Sequence, residues 1–312
     1  MIAKYKRELS VAAAYAGLLL LLGLAAPRFF RREFTDTWVL AAPTLVVAVG
    51  MTLVIIAREI DISVGSQFSI CAVAAGLLAQ AGYHLPIVIG ATLLTGAAMG
   101  ALNGWLIAGL RLPSIVVTLA TMVIFRQGLS WVRQGALITG MPSYFQWFGQ
   151  GQTNGEKLIV ASAIAVFVIF AWSARWLGLG RQVYAVGSDS EAARLSGINP
   201  TRVVFGVFVL MGVLVGLAAI LDSVRFGEVD PKAGVGRELQ VIAAVVVGGT
   251  AITGGRGRMI GSLMGVILLG TIGGAMVFLS PEANWDKAIQ GAIILLAVAS
   301  DGIGRRRGVA HV

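Results

Sequence analysis

Ten stretches of this chain run without a charged residue for a bilayer's depth or close to it, and no other feature limits the fold so tightly. They are 9–26, 37–57, 62–82, 85–110, 112–132 (interrupted by Arg126), 158–174, 203–221, 239–255, 259–281 and 288–300. A spanning helix needs roughly 20 mostly apolar residues. The eighth run has 17 and the tenth 13, so either is also readable as a half-membrane or re-entrant element. The expectation is an all-α polytopic membrane protein with eight to ten transmembrane helices and cytoplasmic N- and C-termini, one domain over 1–312. Composition agrees: 12% of residues are charged and mean hydropathy is +0.85, against roughly a quarter charged in soluble chains. An ordinary soluble enzyme and a disordered chain are both excluded.

The net charge of +9 is explained by topology, not by nucleic acid. With ten spans and the N-terminus inside, the inner segments hold fourteen basic and six acidic residues, a net of +8, while the outer segments balance nine against nine. Lys and Arg excess marks the cytoplasmic side. Arg28, Arg31 and Arg32, in the first outer loop, run against the pattern. Arg126, inside a run, is expected to snorkel outward beside Arg133. The first run follows Lys4, Lys6 and Arg7 like a signal peptide, but its 18 residues exceed the usual apolar region, so it reads as a retained span. Two polar stretches stand out, an outer loop at 133–157 and an inner loop at 175–202.

Several chemistries are missing. There is no phosphate-binding G-x-x-x-x-G-K-[ST], and His84 and His311 make no H-E-x-x-H site. The single Cys71 allows neither an intramolecular disulfide nor a cysteine-based metal cluster. The charge-free runs contain no Asp or Glu, where ion-coupled carriers usually keep ionisable relays. No metal ligand set and no nucleophile–base pair is visible.

The inner loop carries Ser188 and, three residues on, Glu191, a pattern that reads as a capping box. Gly197 suits a left-handed C-terminal cap, and Pro200 stops continuation. The result is a helix of about two turns with Ala192, Leu195 and Ser196 on one face. Two readings stay open: a ridge that docks on another protein, or a short helix packed on its own chain. In the spans, Asp61 and Gly65 flank a helix start, and Ser63, Ser66 and Gln67 form a polar stripe there. Ser114, Thr118 and Thr121 form another, and Asn103 lies between Gly100 and Gly104. Uncharged hydroxyls and amides suit a neutral polyol, because each can donate or accept; the plainer alternative is interhelical hydrogen bonding. Gly96, Gly100 and Gly104, Gly212 and Gly216, Gly261 and Gly265, and Gly270 and Gly274 mark small-residue seams.

Three ordered motifs resemble one family. Glu191-Ala192-Ala193-Arg194-Leu195-Ser196-Gly197 is similar to the E-A-A-x-x-x-G loop of ABC importer permeases. Asp61-Ile62-Ser63-Val64-Gly65 resembles the I-D-[LI]-S-V-G signature of the monosaccharide-type members, and Gly248, Gly249, Gly254 and Gly255 fall in their late glycine-rich segment. Arg256 and Arg258 depart from it. The resemblance implies a permease subunit, not an enzyme, whose coupling residues are Ser188, Glu191, Ala192, Ala193, Leu195 and Gly197. Its substrate path would involve Asp61, Ser63, Gly65, Ser66, Gln67, Asn103, Ser114, Thr118, Thr121 and the four late glycines. The implied partners are a cytoplasmic ABC ATPase that binds ATP and Mg, a second permease subunit, and an external sugar-binding protein, all at a bacterial inner (plasma) membrane. The implied substrate is a neutral monosaccharide or similar polyol, rhamnose or autoinducer-2 ahead of ribose. A branched-chain amino acid permease, a secondary carrier and a membrane-embedded enzyme are the alternatives.

The topology makes a checkable prediction. In a Cys71→Ala background, a cysteine placed at Ser188 should resist membrane-impermeant thiol reagents in intact cells and react once the membrane is opened. Labelling from outside would reverse the orientation.

Overall fold

Every apolar run that the structure describes folds wholly or in part as helix, because in hydrocarbon a backbone amide has no water to bond and the helix satisfies it internally. The structure, a computed structural model, describes residues 6–25, 34–279 and 291–292. The readings on Lys4, Arg28, Arg31, Arg32, nearly all of the run 288–300, and the C-terminus with Arg305–Arg307 lie outside the described residues.

In chain order the helices are α1 (Lys6–Ala25), α2 (Phe34–Ile56), α3 (Val64–Gln80), α4 (Leu85–Gly104), α5 (Ser114–Arg133), α6 (Gln152–Trp176), α7 (Gly178–Ser188), α8 (Ser190–Leu195), α9 (Pro200–Ser223), α10 (Arg237–Val247) and α11 (Met259–Leu279). A π-turn, Trp105–Gly109, continues α4. Among the described residues, five stretches are long and apolar enough to cross a membrane: Asp36–Ile56, Leu85–Gly109, Ser114–Arg133, Gln152–Trp176 and Pro200–Ser223. Val11–Leu24, Val64–Gln80 and Met259–Ala275 are shorter apolar helices. The apolar window of α2 is 94% buried, whereas those of α5 and α6 are each 17% buried. So α2 is the central post, and α5 and α6 turn Val116, Ile124 and Val168 outward, as lipid-facing helices should.

The eighth run is a half-span. Its helix α10 has 11 residues, about 16 Å at 1.5 Å per residue, against a hydrocarbon core of about 30 Å. Gly249 ends it with φ +94°. The Gly249 N–H donates to Val246 O and Thr250 N–H to Val245 O, the paired bonds of a glycine C-cap. An irregular stretch, 248–258, then leads into α11.

The outer loop is structured. Ile138–Thr139 (β1) pairs antiparallel with Glu228–Val229 (β2), a two-residue ribbon that joins two outer loops and adds a trace of strand to an otherwise helical fold. Tyr144 Oη donates to the carbonyls of Ala79 and Tyr83, which clamps this loop over the end of α3.

The most extensive helix pair is α4 with α9, and the expected glycine seam makes it. A methyl group on Gly96 would overlap the carbonyl of Gly212, one on Gly212 the carbonyl of Gly96, and one on Gly100 the carbonyl of Phe208. Backbone meets backbone with no side chain between them. Gly261 and Gly265 make the same kind of seam against Gly248 and Ala244.

Gly96→Val and Gly212→Val should therefore each cost about 1–3 kcal/mol of stability, read as a lowered thermal-unfolding midpoint of the detergent-solubilised protein. Gly128→Ala, where an added methyl meets no neighbouring atom, should leave that midpoint unchanged.

Candidate functional site

The inner loop folds as two helices, α7 and α8, that meet at Asp189. This residue is extended, with φ −157° and ψ 106°. Its Oδ1 accepts from the N–H groups of Glu191 at 2.9 Å and Ala192 at 3.0 Å. The expected capping box of Ser188 with Glu191 is thus corrected: Ser188 is the last residue of α7, and Asp189 is the N-cap of α8. The chain bends at 189, so its carboxylate reaches amides that the Ser188 hydroxyl cannot. A negative charge there also complements the helix dipole. Glu191 instead turns to Arg194, whose Nε donates to Oε2 at 3.0 Å. That bond holds the Glu191 carboxyl below the usual range. Both side chains are exposed, so the pair adds little stability.

Gly197 takes the left-handed conformation expected of it, φ +83°. Ile198 N–H donates to Ala193 O and Gly197 N–H to Arg194 O, which closes α8 at its far end. The helix is shorter than two turns, six residues. Ala193 is buried; Glu191, Ala192, Leu195 and Ser196 face out, with Leu195 78% exposed.

Gly254 and Gly255 fit α7 and α8 onto the membrane helices. Gly255 N–H donates to Ile56 O at 2.9 Å, Gly187 packs on that same carbonyl, and Gly254 and Gly255 lie against Arg58 and Ser188. Tyr184 Oη donates to Gly257 O at 2.9 Å. Gly248 and Gly249 end α10, with Gly248 against Gly261. Gly254 and Gly255 thus serve close backbone packing at the foot of α2, while Gly248 and Gly249 serve the end of α10.

The polar residues assemble elsewhere. Ser63 N–H and Oγ–H both donate to Asp61 Oδ1, at 2.9 and 2.6 Å. Gln67 Nε2 donates to Asp61 Oδ2 at 3.2 Å and to Ser63 Oγ at 2.7 Å. Asn103 Nδ2 reaches the same hydroxyl at 2.8 Å, and Ser66 Oγ donates to Ser63 O. Ser114 and Thr118 flank the unwound backbone before α3: Ser114 Oγ accepts from Ile60 N–H, and Thr118 Oγ1 donates to Ser114 O at 2.8 Å and shares its hydrogen with Ile60 O at 3.3 Å. Thr121 Oγ1 donates to Thr118 O. Asp61, Ser63, Gln67 and Asn103 are wholly buried. Gln67 Oε1 and Asn103 Oδ1 accept no hydrogen bond, so two buried acceptors aim at no donor of the chain.

Gly65 borders this cluster, and the Glu238 carboxylate and Gly234 carbonyl occupy the space that a β-carbon would take. Glu238 forms an ion pair with Arg126 at 3.1 Å. Arg126 therefore does not snorkel: it is bound to a buried acid on another helix. Glu238 in the first turn of α10 and Asp222 near the end of α9 also bring acids into the membrane helices, just past the edges of the charge-free runs. Asp222 pairs with Arg225 and Arg237. Among the described residues no group of three or more His, Cys, Asp or Glu could hold a metal ion.

The fold is that of a multi-pass helical membrane protein. The chain belongs to the family described as branched-chain amino acid transport system / permease component, which matches residues 34–298. It is similar to the autoinducer 2 import system permease protein LsrC of Escherichia coli O157:H7, 34% identical over 91% of this chain and 85% of the relative. It is also similar to the ribose import permease protein RbsC of Escherichia coli strain K12, 35% identical over 82% of this chain and 81% of the relative. The resemblance to monosaccharide-type ABC importer permeases read from the three motifs stands on these matches. No solved structure matches the chain.

The cap correction predicts which substitution loosens α8. Asp189→Ala should cost about 0.5–2 kcal/mol of local helix stability, seen as faster hydrogen exchange at the Glu191 and Ala192 amides. Ser188→Ala should leave those two amides protected.

Proposed function

We propose that this chain is the membrane-spanning subunit of an ABC importer in a bacterial inner (plasma) membrane and moves a neutral, polyhydroxylated small molecule inward. The observation that carries the reading is α8. A six-residue helix has no independent stability in water, yet this one is capped at both ends, anchored through Ala193, and presents Ala192 and Leu195 outward. That is the form of a ridge meant for a groove on a partner. The partner is a cytoplasmic ATPase that supplies ATP and Mg chemistry, which this chain's own motifs do not. The coupling residues are Glu191, Ala192, Leu195 and Gly197, with Ser188 packed on the glycine loop and Asp189 as cap. A second permease subunit and an external solute-binding protein complete the assembly by family analogy.

The substrate class rests on the buried cluster. The unpaired acceptors Gln67 Oε1 and Asn103 Oδ1 match hydroxyl donors, and both Asp61 oxygens are already bonded within the chain. A sugar of the autoinducer-2, rhamnose or ribose kind supplies many hydroxyls and no charge to desolvate. The relatives' names point the same way. A second reading, a zwitterionic amino acid, has one observation in its favour: Arg126 and Glu238 offer one charge of each sign at the border of the cluster.

Uptake into vesicles that contain the permease, its ATPase and binding protein should require ATP and survive an uncoupler. Gln67→Leu with Asn103→Leu should abolish sugar uptake while binding-protein-independent ATPase activity persists. Accumulation by this chain alone that collapses with an uncoupler would make it a secondary carrier. Leucine uptake without sugar uptake would select the amino acid reading.

A further inference from the structure

A crevice of about 620 Å³ opens beside the foot of α9, between α2, α6 and α7. It lies apart from the buried polar cluster. Leu53, Phe170, Val207 and Leu210 make its apolar walls, and Asn199 and Arg202 stand at one end. Arg202 is in the first turn of α9 and exposed. From Arg202 to Leu210 the helix rises about 12 Å, close to the depth of one leaflet's hydrocarbon, roughly 15 Å. The crevice is thus charged at the water boundary and apolar at bilayer depth.

Its surroundings carry exposed apolar side chains. On the α6–α7 side, Trp172, Trp176 and Leu179 are 56%, 62% and 72% exposed, and the Arg175 guanidinium lies 5.4 Å from the Trp176 ring. Exposed tryptophans beside arginines are what seats a helix end at the interface. Arg181, next to the lining residues Gly180 and Gln182, is also exposed. Charge complementarity and depth together select the occupant. We propose that this crevice binds one anionic phospholipid of the cytoplasmic leaflet, its phosphate against Arg202 and one acyl chain along Val207 and Leu210. The lipid fills the space between the base of the α7–α8 element and the membrane helices, so it stiffens the joint through which α8 moves them.

Gly206 gives a clean way to close the site, because it lines the crevice and an added β-carbon there meets no atom of the chain. The full-length permease is reconstituted in an equal mixture of phosphatidylcholine and phosphatidylglycerol, extracted, and its retained lipid counted by native mass spectrometry. The wild type should keep one phosphatidylglycerol per chain. Arg202→Glu should weaken retention about tenfold or more. Gly206→Leu should lose lipid of either headgroup. Arg111→Glu, on a different inner crevice, should retain it. No headgroup preference in the wild type, or equal loss in Arg111→Glu and Arg202→Glu, overturns the site. So does crosslinking of a cysteine at Gly206 to the ATPase in place of lipid. If Gly206→Leu fails to fold, a photoreactive phosphatidylglycerol decides: it must crosslink to Phe170 in the wild type and not in Arg202→Glu.

Discussion

Inside a bilayer no water is available to a broken helix, so each interruption of α-structure must be covered by protein at the point where it occurs. The architecture follows from two such interruptions, residues 57–63 before α3 and residues 248–258 after α10. At the first, Ser114 and Thr118 of α5 bond both the N–H and the C=O of Ile60. At the second, Gly255 N–H is taken up by Ile56 O. Each break is thus covered by a neighbour, and both meet at the foot of α2. This is why the central helix is so fully enclosed, and why the charged Asp61 can stand unexposed where α3 begins.

The same constraint explains where glycine is indispensable. Breaks are covered only if backbones come within bonding distance, which a β-carbon forbids. Gly187 and Gly255 both crowd Ile56 O, and Gly65 and Gly234 lie backbone to backbone. Gly234 N–H also donates to Ser69 Oγ at 3.0 Å. Because Gly255 touches Ser188 while its N–H bonds α2, α7 and α8 share with the membrane core a joint made of main chain. A displacement of α7 and α8 acts directly on the end of α2, five residues before Asp61, with no flexible side chain between.

Much of this was legible in the sequence, and the failures share a cause. Charge-free runs locate the helices because hydration cost decides what enters lipid, a property of each residue by itself. Gly197 was legible because a left-handed cap is a local demand. The seams of Gly96 and Gly100 with Gly212, and of Gly261 and Gly265, were legible because spacing at i, i+4 is local too, whereas Gly270 meets only the Ala41 side chain. Asp189 was missed because Ser188 and Asp189 both offer a capping oxygen, and only the bend between α7 and α8 decides which one faces the free amides. Arg126 was misread because its partner Glu238 lies 112 residues away, and no spacing rule pairs them. The interlock of Asp61, Ser63 and Gln67 is local, but Asn103 joins it through packing that only the folded chain defines.

The two kinds of contact divide the molecule's work. Glycine seams between α4 and α9 are won by shape: the two backbones pack against each other more closely than side chains would allow. The cover over the start of α3 is held differently, by Arg126–Glu238 and by Arg237, which bonds Asp222 at 2.7 Å and lies 4.1 Å from the Phe68 ring. Burying an ion pair costs several kcal/mol of desolvation for each ion, which its Coulomb attraction does not always recover. Such contacts are therefore poor cement. Removing one partner would leave the other charge buried and uncompensated, at a cost of about 3–5 kcal/mol. One carboxylate oxygen of Glu238 is buried without a partner over Gly65, so the ion-paired cover borders the polar cluster with an acceptor still free.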